Sequence, residues 1–345
     1  MEKELSAIKK LLTIIVVPLV IYLLNVMDTI FIPLTFGLFF ALLFTPILRW
    51  FTSKKIPKAI GMIFVLIMMS SIVLGTYKIL EMTSSELMAI DEEFIEKFDS
   101  KLDELARPIV NFMRIEKEPD ESHIAALLNN EKVVSNIVGN IGGGINAAKN
   151  FLSVLLMSVF FMVLFLAGSV NVQNILEVLI FKQEEMSRNT YQQIEKGVFT
   201  YVLVKVFVSA LTGIGISLAC YFFGVSFPIF WGVAAFLLNF IQIIGSALVV
   251  GILALFAFVE LSATGSLVGF IIIIVGVQFI IGNILEPIML GRSFSINTIT
   301  VLVMLSIWGI IWGIPGLVLS IPMTAMLKII LEKFPSTQVY AKLMS

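Results

Sequence analysis

Residues 227–259 read FPIFWGVAAFLLNFIQIIGSALVVGILALFAFV, a run of 33 residues without a charge. A helix needs only about 20 apolar residues to cross the hydrocarbon of a bilayer, so this run is too long for one ordinary crossing. Its middle contains residues that interrupt an apolar helix, namely Asn239, Gln242, Gly245 and Ser246. A second uncharged run, residues 295–326, is interrupted in the same way by Gly309, Gly313, Pro315 and Gly316.

Two overlong apolar runs broken near their middles are typical of discontinuous helices or re-entrant hairpins that meet near the midplane of a transporter. Backbone groups released from helical pairing are tolerated in a membrane only beside protein or a water-filled cavity. We therefore expect the two breaks to line a polar cavity. The alternative is a pair of long, tilted or kinked helices, because tilt also accommodates excess length.

The composition of the 345-residue chain agrees with a membrane protein. Hydrophobic residues make up 59% and charged residues only 14%, against roughly 25% charged in soluble domains. The net charge of −1 offers no basic field for nucleic acid, so we expect no nucleic-acid partner. One cysteine and one histidine, Cys220 and His123, exclude disulfide frameworks, Cys/His zinc sites and His-based catalytic triads. We expect no enzyme, no catalytic residue, no metal site and no bound cofactor.

Further apolar runs at residues 11–27, 30–48, 59–77 and 151–170, with the long uncharged runs of the second half, predict an all-α polytopic membrane protein of about eight transmembrane helices. Residues 81–149 differ, with 14 acidic and 7 basic residues and apolar residues in steps of three and four. We predict three parts: a three-span bundle at 1–80, an acidic amphipathic extramembrane segment at 81–149, and a transport bundle at 150–345 with a cytoplasmic helix at 174–197.

Orientation follows from the distribution of Lys and Arg, which favours the cytoplasmic side. Basic residues precede the first span, fill the link between the second and third spans, and follow the last span. We therefore predict that both termini are cytoplasmic. The residues concerned are Lys3, Lys9, Lys10, Arg49, Lys54, Lys55, Lys58, Lys328, Lys333 and Lys342.

Ionisable and amide groups at membrane depth are candidate pathway residues, because a charge there costs at least about 2.5 kcal/mol. Glu286 can take up a proton or a sodium ion, with Arg292 near enough in sequence to neutralise it, or the two can close an interfacial loop. Lys205 either lines a cavity or extends to the surface. The amides near the breaks either contact solute or bond helices together. The candidate substrate or ion pathway comprises Tyr201, Lys205, Asn239, Gln242, Gly245, Gln278, Asn283, Glu286, Pro287, Arg292, Trp308, Gly313 and Pro315.

The chain resembles the AI-2E family of bacterial transporters along nearly its whole length. The resemblance rests on residues 228–246, on Asn283-x-x-Glu286-Pro287 with Gly291-Arg292-Ser293, on Trp308-Gly-Ile-Ile-Trp312-Gly-Ile-Pro315-Gly, and on residues 320–325. One departure is Gln242-Ile243-Ile244-Gly245 where the family usually has Pro-Tyr-x-Gly. The resemblance implies a bacterial or archaeal inner-membrane protein, a homo-oligomer that is pentameric in some members, and export of the autoinducer-2 quorum-sensing signal or exchange of Na⁺ or Li⁺ for H⁺.

Three functions compete on this basis. The first is a secondary transporter that exports a small polar solute through the lipid bilayer, coupled to a Na⁺ or H⁺ gradient or driven by the solute's own gradient. The second is a Na⁺(Li⁺)/H⁺ antiporter with Glu286 at its centre. The third is a membrane scaffold that acts through residues 81–149 and transports nothing.

Overall fold

A computed structural model of the chain describes residues 2–88, 153–168, 175, 177–178, 183–241, 244–261, 264–291 and 296–345. Its regular elements within those ranges are helical, which confirms the all-α prediction. They are α1 Glu2–Val26, α2 Asp28–Ser53, α3 Lys58–Met88, α4 Ser153–Ala167, α5 Glu184–Phe223, α6 Pro228–Leu238, α7 Ile244–Glu260, α8 Thr264–Gln278, the π-helical turn Phe279–Leu285, α9 Glu286–Leu290, α10 Thr298–Glu332 and α11 Gln338–Leu343.

The described helices include four that are long and apolar enough to cross a membrane: Asp28–Ser53, Glu184–Phe223, Thr264–Leu290 and Thr298–Glu332. Shorter apolar helices accompany them, and many large apolar side chains face outward, as lipid-solvated helices require. The chain is therefore a polytopic membrane protein. The count of eight spans stays a prediction.

Several sequence predictions fall outside the described ranges. Gln242, Arg292 and residues 89–149 of the acidic segment lie there, as does most of 174–183. Residues 184–197 of the predicted cytoplasmic helix form the start of α5, which continues to Phe223; their cytoplasmic position stays a prediction. No proline lies between residues 184 and 223 to end the helix. The charged residues of its first part and the apolar residues of its second part therefore belong to one 40-residue helix.

The chain divides into two compact units that alternate along the sequence. Unit 1 comprises Met1–Met69, Leu152–Leu203 and Leu290–Ser345, and unit 2 comprises Ser70–Phe151 and Val204–Met289. In unit 1, α2 packs closely on α4, where a Cβ at Gly37 would lie 2.6 Å from Phe161 Cβ. An ion pair also joins Arg49 of α2 to the buried Glu195 of α5. The three-part domain division stays a prediction.

The core of unit 2 is formed by the second half of α5 with α6, α7 and α8. Two glycine contacts set how closely α5 approaches its neighbours. A Cβ at Gly213 would lie 2.6 Å from the Gly232 carbonyl oxygen on α6, and a Cβ at Gly215 would lie 2.8 Å from Val277 Cγ1 on α8. These two close approaches place the buried face of α5 against both α6 and α8, as expected for small residues between membrane helices.

Candidate functional site

The first broken run folds back on itself as a helical hairpin, which we call the first hairpin (residues 226–260). Its arms are α6, which ends at Leu238, and α7, which begins at Ile244, and the break lies between them. At its base, the Ser226 backbone N–H donates to both Glu260 carboxylate oxygens at 3.0 and 2.9 Å, although 34 positions separate them. At 1.5 Å per residue, α6 is only about 17 Å long, too short to cross the roughly 30 Å hydrocarbon alone.

Gly245 makes the turn of the first hairpin possible. A Cβ at this position would overlap the Leu238 carbonyl oxygen, whereas in a straight helix the two residues would be separated by about 10 Å along the axis. Only glycine allows so close an approach of two backbone segments. The break forms although the proline usual in the family is absent, and the run is a folded-back hairpin and not one long tilted helix.

An ion pair buried in unit 2 joins α5 to the start of α9. Lys205 Nζ lies 2.8 Å from Glu286 Oε1, and the side chains are only 3% and 5% exposed. Lys205 therefore does not extend to the surface. A charge in such a position must be paired, because isolated burial costs several kcal/mol. Among the described residues, Glu286 forms its ion pair with Lys205, 81 positions away.

The π-helical turn Phe279–Leu285 immediately precedes Glu286. A π turn contains about one residue more than an α-helical turn, so the residues after it are rotated about the helix axis and a different set of side chains faces the core. Such turns are frequent at functional sites. Glu286 is the one buried residue of α9. Gln278, the last residue of α8, has a buried Oε1 with no hydrogen-bond partner among the described residues.

Ser209 and Thr212 continue a polar stripe along the buried face of α5 that begins at Lys205. Both are fully buried, and the spacing of four and three residues places all three on one helix face. Asn239, 4% exposed at the break of the first hairpin, donates from Nδ2 to Ser209 Oγ at 3.0 Å. The stripe therefore connects the ion pair with the hairpin break.

The second broken run, within α10 in unit 1, also folds back, and we call it the second hairpin (residues 298–332). Gly313 interrupts the helix with φ 61° and ψ −137°, a conformation open almost only to glycine. A Cβ at Gly316 would overlap the Trp308 carbonyl oxygen, and a Cβ at Gly309 would lie 2.7 Å from Leu317 Cδ2. Residues eight apart meet in this way only where the chain reverses.

Helix α1 supplies the hydrogen bonds that the break in the second hairpin leaves open. Pro315 has no N–H, so the Ile311 carbonyl four residues earlier lacks its helical donor. The Asn25 side-chain amide donates to that carbonyl at 2.7 Å. Trp312 Nε1 donates in turn to the Leu24 carbonyl at 2.9 Å. The broken backbone is thus satisfied by protein, as membrane burial requires.

The structure brings together some predicted pathway residues and separates others. Lys205 pairs with Glu286, and Asn239 with Gly245 forms the first break. Gly313 and Pro315 form the second break beside Trp308, whose Nε1 is buried without a partner among the described residues. Tyr201 is buried one turn before Lys205, whereas Asn283 and Pro287 are exposed. That both breaks line one cavity stays a prediction.

Sequence reasoning missed Ser209, Thr212 and Asn25. The first two were detectable, because Lys205-x₃-Ser209-x₂-Thr212 is a helical polar spacing within an apolar run. Asn25 was not, because its role depends on a contact with a carbonyl 286 positions away. No group of three or more His, Cys, Asp or Glu side chains suited to a metal occurs among the described residues.

Chemically, unit 2 offers a carboxylate paired with a lysine, and a group of buried neutral polar side chains, Ser209, Thr212 and Asn239. A carboxylate accepts a proton or a cation. Amides and hydroxyls donate and accept hydrogen bonds and suit an uncharged polar solute.

Comparison with known proteins gives a consistent result. The family model described as AI-2E family transporter matches residues 11–336. A protein of Haemophilus influenzae named as a candidate transport protein is 24% identical over 350 aligned positions, covering all of this chain and 98% of the relative. The AI-2 transport protein TqsA of Escherichia coli is 27% identical over 326 positions, covering 92% of this chain and 89% of TqsA. Every relative named here is described as a transport protein.

Proposed function

Because the chain belongs to the AI-2E family of transporters, we propose that this membrane transporter is a secondary exporter of a small, polar, uncharged solute. The observation that carries the proposal is the pair of hairpins, each broken midway. Discontinuous helices of this kind supply backbone and amide groups for solute at the membrane midplane. The relatives' names as transport proteins also agree with a protein that is not an enzyme.

Autoinducer-2 is the solute we propose first. The support is the name of TqsA, an AI-2 transport protein 27% identical to this chain, and the polar but neutral groups around the first break. An uncharged, hydroxyl-rich solute would bond to the Asn239 amide and to Ser209 without requiring a compensating charge.

The export proposal is tested in bacterial cells that lack their own AI-2E proteins. Supernatants with and without this protein are compared by metabolite profiling and by an autoinducer-2 reporter. We expect one polar solute to accumulate outside faster with the wild type, and export to fall at least tenfold with Asn239→Leu. Ser306→Ala is the control, because Ser306 is an exposed hydroxyl bonded only to its own helix. Identical supernatants with and without the wild type would refute the proposal.

Exchange of Na⁺ or Li⁺ for H⁺ is the second candidate function. It is favoured by the buried Lys205–Glu286 pair, which supplies a carboxylate among apolar helices. In proteoliposomes, Glu286→Gln would abolish pH-dependent sodium flux if this function is correct. Unchanged flux would eliminate it.

A scaffold role through residues 81–149 is the remaining alternative. Deleting that segment should abolish the protein's effect if it acts as a scaffold, and efflux that survives the deletion rules the scaffold out.

We further propose a bacterial inner-membrane location with both termini cytoplasmic, and a homo-oligomer, pentameric by family resemblance. Reporter fusions at each terminus and mass measurement of the detergent-solubilised protein test these points.

A further inference from the structure

We propose that the turn between α2 and α3 binds an anionic phospholipid. We call this turn, residues 54–58, the basic turn, because it carries Lys54, Lys55 and Lys58. The lysines hold the phosphate of the lipid headgroup, and the outer face of α3 holds an acyl chain. The site lies wholly in unit 1, and it does not depend on which solute the protein carries.

The basic turn carries positive charge without a carboxylate partner among the described residues. All three lysines are exposed, and no Asp or Glu occurs between residues 29 and 80. Within the described ranges, Lys54 and Lys55 form no ion pair, and Lys58 donates from Nζ to the Ala167 carbonyl at 3.3 Å. Lysines clustered at the end of a membrane helix attract the phosphates of anionic lipids.

The backbone fixes the first two lysines at the end of α2. The Ile56 N–H donates to the Phe51 carbonyl at 3.1 Å, and the Lys55 N–H donates to the Thr52 carbonyl at 3.0 Å. These are the two hydrogen bonds of a Schellman helix end, whose left-handed position is usually occupied by glycine. Here Lys55 occupies it with φ 59°. A lysine kept at a position that favours glycine indicates a function for its side chain.

Aromatic rings of the kind found at bilayer interfaces adjoin the basic turn. Trp50 is 57% exposed, and its ring lies 5.3 Å from that of Phe51. The Phe51 ring lies in turn 5.2 Å from the ring of Phe64 on α3. Tryptophan is enriched where lipid headgroups meet acyl chains. The row of rings therefore marks the boundary between the charged part and the apolar part of the site.

The first turns of α3 present an apolar face next to these rings. Ile60, Ile63 and Phe64 are exposed, and spacings of three and four residues place them on one side of the helix. The other side packs on α2, where a Cβ at Gly61 would lie 2.8 Å from Leu48 Cδ2. Lysines, rings and apolar face thus follow one another in the order of the headgroup, the interface and the acyl chain of a phospholipid.

Charge complementarity favours a lipid over a second copy of the chain as the occupant. Two copies that met through this surface about a two-fold axis would bring the lysines of one against those of the other. An anionic phospholipid instead neutralises Lys54 and Lys55 and covers the apolar face of α3 with its acyl chain. The site should therefore select phosphatidylglycerol, which is anionic, over phosphatidylcholine, which is zwitterionic.

Native mass spectrometry of the purified, detergent-solubilised protein tests the site. Phosphatidylglycerol, phosphatidylcholine with the same acyl chains, and glycerol phosphate are titrated separately. We expect phosphatidylglycerol to bind about tenfold more tightly than phosphatidylcholine, and glycerol phosphate to show no binding at the same concentrations. Equal binding of the two lipids would overturn the proposal. Binding of glycerol phosphate as tight as that of phosphatidylglycerol would also overturn it, because the acyl chain would then have no role.

A pair of double variants locates the headgroup. Lys54→Gln/Lys55→Gln should weaken phosphatidylglycerol binding about 30-fold, because each lysine near an anionic lipid contributes about fivefold. Lys333→Gln/Lys342→Gln is the matched control, because it removes the same charge outside the basic turn, and it should bind as the wild type does. Wild-type binding by Lys54→Gln/Lys55→Gln, or an equal loss in the control, would overturn the proposal.

Lys55→Gly separates a binding role from a structural role. Glycine adopts a positive φ without strain, so this variant should unfold at the wild-type concentration of denaturing detergent or above it. It should nevertheless bind phosphatidylglycerol about fivefold more weakly. Unchanged binding would overturn the proposal. So would a variant of the basic turn that loses a second copy of the chain in the same spectra and keeps the lipid.

Discussion

The buried Lys205–Glu286 pair makes a quantitative prediction for stability. At 2.8 Å and an effective dielectric constant of about 20, the attraction between the two charges is about 6 kcal/mol, and desolvation of both groups offsets much of it. Removing one partner leaves the other buried and unpaired, which costs about 3–5 kcal/mol. Lys205→Met and Glu286→Gln should each lower the free energy of unfolding by that amount.

The double variant Lys205→Met/Glu286→Gln should cost less than either single change, because no unpaired charge remains. Unfolding in mixed micelles with increasing denaturing detergent, followed by circular dichroism, measures all three. Lys333→Met serves as the control for loss of a partly exposed lysine with a solvent-exposed hydrogen bond and should cost under about 1 kcal/mol. If the single variants cost no more than this control, the pair is not buried and the reasoning is refuted.

Three further predictions concern the hairpins. Gly245→Ala should prevent the first hairpin from closing and abolish transport, because the added Cβ meets the Leu238 backbone. The control Gly251→Ala should transport normally, because a Cβ at residue 251 has no atom within 4 Å. Equal transport by the two variants would contradict the close approach at Gly245. Glu260→Gln should weaken the base of the first hairpin by about 1–3 kcal/mol through loss of a charged hydrogen-bond acceptor, measured as faster hydrogen exchange at the Ser226 amide; unchanged exchange would count against that role. Asn25→Ala should lower the free energy of unfolding by about 1–3 kcal/mol, because the Ile311 carbonyl loses its hydrogen-bond donor. Unfolding at the same denaturing-detergent concentration as the wild type would contradict this prediction.

The sequence predicted the breaks themselves, because glycine, proline and amide residues within an apolar run have local consequences for a helix. Gly313 and Pro315 lie where the second hairpin reverses, and Asn239 lies at the first break. The choice between a tilted span and a hairpin was not predictable, because it depends on whether distant backbone segments meet. The overlap that a Cβ at Gly245 would cause is visible only in three dimensions.

The sequence singled out Lys205 and Glu286 as candidate residues but did not predict that they pair. An ionisable residue in an apolar run stands out by its cost, so Lys205 and Glu286 were both identified. Their partnership was not, because 81 residues separate them and the two glycine contacts of α5 are needed to bring α5, α6 and α8 together. Sequence proximity suggested Arg292, the nearest cation along the chain to Glu286, which lies outside the described residues, so that pairing stays a prediction.

Accessibility of the first break to water tests the central claim, that the break borders a solute pathway and is not dry packing. The chain has one cysteine, Cys220, so Cys220→Ala provides a background for Asn239→Cys and for the control Ala257→Cys on the buried face of α7. We expect a small, charged thiol reagent to modify Asn239→Cys in membranes, more slowly when solute is present, and to leave Ala257→Cys unmodified. An Asn239→Cys variant as unreactive as Ala257→Cys from both sides of the membrane would contradict the account.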